Sequence, residues 1–460
     1  MPNADVFVVP ILGNYLIYAP IHQLSALVDS QAVRLIQQNL STPHCPIPNT
    51  ITPILHHLQI SPTAKPTAKT GALDSPLFLG IIPTRGCNMG CRYCDFAAPK
   101  SGSPVMTTAM AKGAVKAYVT LLETNNQQQG EIQFFGGEPF YAAEIVQFIV
   151  AYAKWLAAQK GITIRFEVTT NGLYNAQKCQ WIADHFDTVV LSLDGPEDIQ
   201  TQHRPGVNGR SVSHIIIRNA KIFSESSCEL VIRPCVTQQT VTRLPEIARW
   251  IAQEFLPATV CFESLMLSPL AVAANMSPPD PWLFAQNFIT ASTILAASGI
   301  ETVLSTADIS RTQITFCPVG QDALIVSPDG AVDACYLLAA AWQAVGLNMR
   351  LGTVDLASGR FQLDDNAVQQ VRSYQVENKP GCAHCFCRYH CAGGCHVNHP
   401  TNHAPGSYDD LCIQTRLVTI AHLLQQLQQS ATINRLFADR GAMETAVFQP
   451  NDHLYQMEAA

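Results

Sequence analysis

Charge is what this sequence has least of. Asp, Glu, Lys and Arg make up only 14% of its 460 residues, and glutamine carries part of the polar surface instead. The formal balance is −7 with a pI near 6.0, which excludes a general pull toward nucleic acid or an anionic membrane. No apolar run reaches the roughly 18 residues of a membrane span. The opening MPNADVFVVPILGNYL has neither a basic start nor a small-residue cleavage site, so it does not read as a secretory signal. No internal repeat is found. These absences point to a cytoplasmic protein that works without nucleic acid and without a membrane.

What is present is apolar residues and cysteine. Hydrophobic residues reach 47%, which excludes disorder, and 460 residues exceed one ordinary core, so two or three domains are expected. Sixteen cysteines in a cytoplasmic chain point to metal or catalysis rather than disulfides.

Residues 1–60 read as a small α+β module. VFVVPI and YLIYAP flank Leu12-Gly13-Asn14 as a hairpin, and LSALVDSQAVRLIQQN follows with helical spacing. Residues 61–76, SPTAKPTAKTGALDSP, read as a linker. Over 77–300 the runs LFLGII, EIQFF, TIRFEVTT, TVVLSLD, LVIRP and TVCFESL alternate with helical stretches. Six β/α units predict an α/β fold with a parallel sheet, open or a partial barrel, with its chemistry at the C-terminal strand ends. From about 300 the alternation stops and cysteines become dense, so 301–430 reads as a loop-rich domain held by metal. LCIQTRLVTIAHLLQQL reads as an amphipathic helix, and 431–460 as a tail.

Cys87, Cys91 and Cys94 follow LFLGIIP with the spacing C-x3-C-x2-C. Three thiolates on such a loop suit three irons of a [4Fe–4S] cluster and leave the fourth open. Spacing alone also allows a zinc site with a distant fourth ligand. The stretch CNMGCRYC, with Tyr93 before the last cysteine, resembles the radical S-adenosylmethionine (SAM) signature, and Gly136-Gly137-Glu138-Pro139 at the end of EIQFF is similar to that family's GGEP motif. The resemblance implies a partial (β/α)6 barrel in which the open iron chelates the amino and carboxylate groups of SAM, with Glu138 and the GGEP backbone on the amino group. It also implies that Asn171, Ser192 and Asp194 contact the ribose or the methionine carboxylate, that Arg204 pairs with that carboxylate, and that the backbone at Tyr93 faces adenine. Read from the residues alone, these strand-end groups serve equally as turns and caps, Arg204 as a surface arginine and Tyr93 as core.

A second set runs through Cys317, Cys335, then Cys382, Cys385, Cys391 and Cys395 in GCAHCFCRYHCAGGC, and ends at Cys412. This order resembles the SPASM domain of radical SAM maturases, with a zinc-ribbon pair as the plain alternative. The resemblance implies two auxiliary [4Fe–4S] clusters, three in all. One would sit on Cys317, Cys335 and Cys395, the other on Cys382, Cys385, Cys391 and Cys412. PVGQDALIV after Cys317 offers no fourth cysteine; Asp322, another side chain or an open iron would complete that site. Cys387 is extra, a buried thiol or an alternative ligand. Of the others, Cys235 and Cys261 on barrel strands are core cysteines or, if they face the cavity, radical partners.

The resemblance then implies an oxidoreductase that makes a 5′-deoxyadenosyl radical and modifies a ribosomally made precursor peptide, by C–S or C–C crosslinking. Residues 1–60 would hold the leader peptide by strand addition or would simply cap the barrel. A reductase, flavodoxin or ferredoxin would supply electrons. An anaerobic sulfatase-type formylglycine maturase, a peptide epimerase and a non-enzymatic zinc scaffold are the other readings.

Overall fold

The computed structural model describes residues 5–41, 48–59, 65–94, 96, 103–399, 404 and 406–449. Cys45, the first residues of the expected linker and the last eleven of the expected tail lie outside them.

The chain opens with an antiparallel sheet, β1 (Phe7–Ile11), β2 (Asn14–Ala19) and β3 (Leu24–Val28). Leu12 and Gly13 turn the β1–β2 hairpin with φ of +50° and +85°, the left-handed geometry of a tight hairpin. Leu24–Val28 differs from the helical expectation. It pairs with β2 from Ala19↔Leu24 to Tyr15↔Val28, and the helix Ser30–Ser41 starts only after Asp29, whose carboxylate accepts the Ala32 N–H at 2.8 Å. Asp29 thus caps the helix, and the apolar spacing that runs through it belongs to a strand on one side and a helix on the other.

A single open sheet follows. Its parallel strands are β4 (Leu79–Ile81), β5 (Gln129–Phe134), β6 (Thr163–Thr170), β7 (Thr188–Leu191), β8 (Glu229–Ile232), β10 (Thr259–Cys261) and β12 (Glu301–Val303), while β9 (Cys235–Val236) and β11 (Glu263–Ser264), just beyond β8 and β10, pair with each other as a separate two-stranded ladder. β13 (Leu324–Val326) runs parallel to β4 on its other side, and β14 (Ala331–Asp333), β15 (Arg350–Asp355) and β16 (Arg360–Leu363) add as an antiparallel meander. The order is β12-β10-β8-β7-β6-β5-β4-β13-β14-β15-β16. Strand pairing therefore continues past residue 300, where the alternation was expected to stop.

β6 shows why these runs are strands. In TIRFEVTT, Ile164, Phe166, Val168 and Thr170 are buried, while Thr163, Arg165, Glu167 and Thr169 are exposed or half-buried. Ile164, Phe166 and Val168 join the main core, while Thr169 and the strand-end Thr170 reach a cavity. Period 2 thus separates a packed face from a chemical one.

The remaining helices differ from expectation. Asp410–Gln426 buries residues on every side, including Gln414, Thr415, Arg416 and Thr419. Residues past 430 are not a loose tail up to 448: they form Ser430–Ala438 and Arg440–Phe448. Ile433, Leu436, Phe437, Met443, Ala446 and Val447 share one core with Phe7, Val9, Ile11, Leu16 and Tyr18 of the opening sheet. That sheet face would otherwise be bare to water, which is the physical reason the C-terminal segment folds onto it. The linker is strapped down as well. Arg372 donates to Gly71 O at 2.7 Å, and Lys69 donates to Gln321 O at 3.3 Å. Among the described residues no helix is long and apolar enough to cross a membrane.

Candidate functional site

The loop after β4 carries Cys87, Cys91 and Cys94, and main-chain bonds hold it from two sides. Gly90 N–H donates to Pro205 O at 2.8 Å and Arg92 N–H to His203 O at 3.0 Å. From the other side Gly137 N–H donates to Thr84 O at 3.2 Å and Glu138 N–H to Gly86 O at 2.9 Å. This close approach requires glycine. A Cβ on Gly137 would lie 2.2 Å from Gly86 O, and Gly136, at φ +137°, would place one 2.7 Å from Thr84 O.

Glu138 is buried, with both carboxylate oxygens engaged. Oε1 accepts from Phe140 N–H at 3.1 Å and from Thr170 Oγ1 at 2.9 Å; Oε2 accepts the Asn171 N–H at 2.8 Å. Burial raises its pKa, and the N–H groups of Asn171 and Phe140 oppose the rise. The Asn171 amide donates to Asn88 Oδ1 at 2.9 Å and to Cys87 Sγ at 3.5 Å. After Glu138 the short turn opens on Pro139, and the N–H that Pro139 lacks costs nothing at that first position.

On the opposite wall Asp194 is fully buried. It accepts the Tyr93 hydroxyl at 2.7 Å, meets His203 Nδ1 at 3.0 Å and Arg204 Nε at 3.4 Å, and accepts the Cys235 N–H at 3.1 Å. Burial alone would raise its pKa, but Arg204 and the His203 contact outweigh it and hold the carboxyl below its usual value. Arg204 Nε also donates to Tyr93 Oη at 2.6 Å, so Tyr93 is tied into a charged network rather than plain core. The Tyr93 carbonyl accepts from Ser268 at 3.2 Å.

These residues surround a cavity of about 260 Å³. Cys87, Cys91, Cys94, Tyr93, Gly136, Gly137, Asn171, Ser192, Arg204 and Cys235 line it; Glu138, Pro139 and Asp194 stand behind the wall. Cys261 does not line it, and its thiol donates to Glu263 Oε1 at 3.2 Å. Sequence reasoning missed Arg233 and Glu263, which face the cavity beside the apolar Phe96, Phe135, Leu265 and Met266. Their signal was position: Arg233 and Glu263 lie just past the ends of β8 and β10.

Burial and Glu138 push the Cys87 thiol up to about 12, and burial pushes Cys91 up to about 11. Three half-buried thiols on one loop and one cavity fit a cationic iron group, which would deprotonate them outright.

The later cysteines gather in two places. Burial takes the Cys317 and Cys335 thiols up to about 12, and Cys395 is near enough to both to add to the rise. Asp322 does not join them. Its carboxylate takes Arg372 at 2.8 and 2.7 Å and stands 3.6 Å from Lys69. Cys382, Cys385, Cys391 and Cys412 line one enclosed space, with Cys387 on the same wall and 3.6 Å from Thr419 Oγ1. The Cys412 thiol also falls within 4.8 Å of His399 and Asp409 ligand atoms.

Residues 81–251 match the family described as the Radical SAM superfamily. The serine-type anaerobic sulfatase-maturating enzyme of Klebsiella aerogenes is 32% identical over 149 residues, 30% of this chain and 34% of that one. The chain thus spans about a third of the length of that relative. Among solved structures, native anSMEcpe with bound AdoMet is similar with a TM-score of 0.60 at 20% identity, over 77% of this chain and 99% of that one. Streptococcus suis SuiB bound to precursor peptide SuiA is similar with a TM-score of 0.50 at 14% identity, over 87% and 97%. At these identities the two structures speak for the fold.

Proposed function

We propose, from the premise that residues 81–251 form a radical SAM domain and that the chain is an enzyme, that it modifies a ribosomally made precursor peptide by oxidative C–S or C–C crosslinking. The observation that carries this is β3. Among the described residues it is the edge of a three-stranded sheet, half-buried along all five positions, and so offers a ladder to an added peptide strand. SuiB, similar in fold, has been solved with a precursor peptide.

In this reading Cys87, Cys91 and Cys94 would hold a [4Fe–4S] cluster that binds SAM. The bound group supplies one-electron cleavage of SAM to methionine and a 5′-deoxyadenosyl radical. The chain supplies orientation. Glu138 Oε2, which accepts one N–H, is the acceptor nearest the GGEP turn for the SAM ammonium. Asn171 fixes Cys87 through its amide, and Ser192 offers a hydroxyl at the cavity wall for ribose. Arg204, held by Tyr93 and Asp194, presents charge toward the carboxylate of SAM. Phe96, Phe135, Leu265 and Met266 keep water from the reacting end. The three-cysteine and four-cysteine sets would hold two auxiliary [4Fe–4S] clusters of a SPASM domain, with an external flavodoxin, ferredoxin or reductase as electron donor.

Two observations favour other reactions at the same site. The sulfatase-maturating relative favours formylglycine formation. Cys235 on the cavity wall favours epimerisation, in which a thiol returns a hydrogen atom.

The test is anaerobic purification of the full chain, then co-expression with short peptides encoded beside its gene. The proposal expects about twelve irons, 5′-deoxyadenosine formation and a peptide that has lost two hydrogens. A peptide of unchanged mass with an inverted residue would move the assignment to epimerisation, and a colourless zinc protein would end it.

A further inference from the structure

Two buried cations stand among the C-terminal thiols. Arg416 lies one helical turn after Cys412 on Asp410–Gln426, so both project from one face of that helix. It is fully buried. Its guanidinium carbon sits 4.3 Å from the Phe386 ring centroid and 4.0 Å from that of Tyr408, and Nη1 donates to Cys385 Sγ at 3.2 Å. Lys379 is held by the carbonyls of Gly393 at 2.8 Å and Gly394 at 3.2 Å, where its charge reaches Cys382 and Cys391 of one set and Cys395 and Cys317 of the other.

Lys379 is therefore shared between the two sets, whereas Arg416 is not. The sulfur contacts described on the three-cysteine side come from neutral main-chain N–H groups, Asn398 to Cys395 Sγ at 3.4 Å, Val319 to Cys317 and Leu337 to Cys335. Arg85 acts on Cys335, but Asp333 and Asp329 act on Arg85 in turn. On the four-cysteine side Asp409 stands near Cys412, and its carboxylate is held by His399 at 2.7 Å. The direct guanidinium-to-sulfur bond is what separates the two places.

Resting on the assignment of auxiliary clusters above, we propose that Arg416 makes the four-cysteine site the more easily reduced of the two, so that an electron entering this region resides there. Reduction adds one negative charge to a cluster. A buried cation with an N–H on a ligating sulfur stabilises that added charge, and hydrogen bonds to sulfur and net charge are the terms that set cluster potentials. Packing against Phe386 and Tyr408 fixes the guanidinium plane, which a lysine at 416 would not reproduce. Arg416 acts through Cys385 and is a positioning residue.

The test uses the full chain carrying Cys87→Ala, Cys91→Ala and Cys94→Ala, so that only auxiliary clusters are read. Iron is counted first, and the midpoint of each cluster is followed by electron paramagnetic resonance during dithionite titration. A parent that binds no iron would end the cluster assignment itself, separately from this proposal. Given about eight irons, Arg416→Gln should lower one midpoint by at least tenfold in the one-electron equilibrium, about 59 mV, and leave the other in place. Arg416→Lys should give a smaller fall in the same midpoint. Unmoved midpoints, or equal shifts in both clusters, would overturn the proposal. If Arg416→Gln loses its iron, Arg416→Lys decides alone: a resolvable fall in one midpoint supports the role, and none overturns it.

Discussion

Asn171 donates its side-chain amide to Cys87 Sγ at 3.5 Å, although 83 residues separate them in the chain. The contact exists because the ends of β4 and β6 are two strands apart in one parallel sheet, with the GGEP turn of β5 between them. Three strand ends thus build one wall, and the fit between them is tightest at Gly137.

Replacing Gly137 with alanine should therefore stop SAM cleavage. The new Cβ would meet Gly86 O at 2.2 Å and Arg85 O at 2.4 Å, and both are main-chain atoms that move only with the cysteine loop. Overpacking of this kind costs about 1–3 kcal/mol. The expected result is a lowered Tm and loss of 5′-deoxyadenosine, with iron on the C-terminal cysteines retained. Normal cleavage by the variant would show that the loop and turn are not coupled.

Asp194 gives a prediction in pH. Its folded pKa is lowered, chiefly by Arg204 against the opposing effect of burial. A carboxyl with a depressed folded pKa contributes stability above its unfolded value of about 3.9 and loses it as pH falls through the folded one. Unfolding followed from pH 7 downward should therefore show this contribution intact to about pH 4 and declining below. Asp194→Asn keeps the shape but leaves Arg204 and His203 facing a neutral amide, at a cost of about 3–5 kcal/mol. Its acid limb should be flatter than that of the parent. Parallel limbs would deny the carboxylate this role.

The opening module makes a third case. Phe7, Val9, Ile11, Leu16 and Tyr18 share a core with the C-terminal helices and with Phe386 and Cys387. Deleting residues 1–60 should then expose that core and lower solubility and Tm, so weakened peptide binding by the truncated chain would not identify a leader site. Hydrogen exchange on the intact chain does. A precursor peptide added as a strand should slow exchange at Leu24–Val28. Protection elsewhere, with β3 unchanged, would remove the strand-addition reading.

Local patterns were the legible part of this chain. The six strands between 77 and 300 were marked by apolar runs alternating with helical stretches, and Cys87, Cys91 and Cys94 by their spacing. What was not legible depended on distant partners. Leu24–Val28 became a strand because β2 offered a ladder, and the helices after 430 formed because a sheet face more than 400 residues earlier needed cover. Arg233 and Glu263 lack a motif and meet only through the sheet. Gln414, Thr415, Arg416 and Thr419 broke the amphipathic expectation because each is buried against a polar or sulfur partner, Ser264, Thr306, Cys385 and His390 in turn.

Asp322 marks the limit of reading by proximity in sequence. Five residues after Cys317, it stood as a candidate to complete the three-cysteine site. In the structure it is buried at φ +65° with both oxygens on Arg372, and Arg372 in turn holds Gly71 O at 2.7 Å and Ala72 O at 3.3 Å. The carboxylate thus fastens the segment before β4 to the C-terminal region. Asp322→Asn tests this cleanly, since asparagine accepts the left-handed backbone and matches the size of aspartate. Breaking one side of a buried pair costs about 3–5 kcal/mol, so Tm should fall and protease should cut more readily near Gly71. Iron content should not change, because no metal-binding atom is lost. Iron lost in proportion to the chain, with stability intact, would return Asp322 to the cluster.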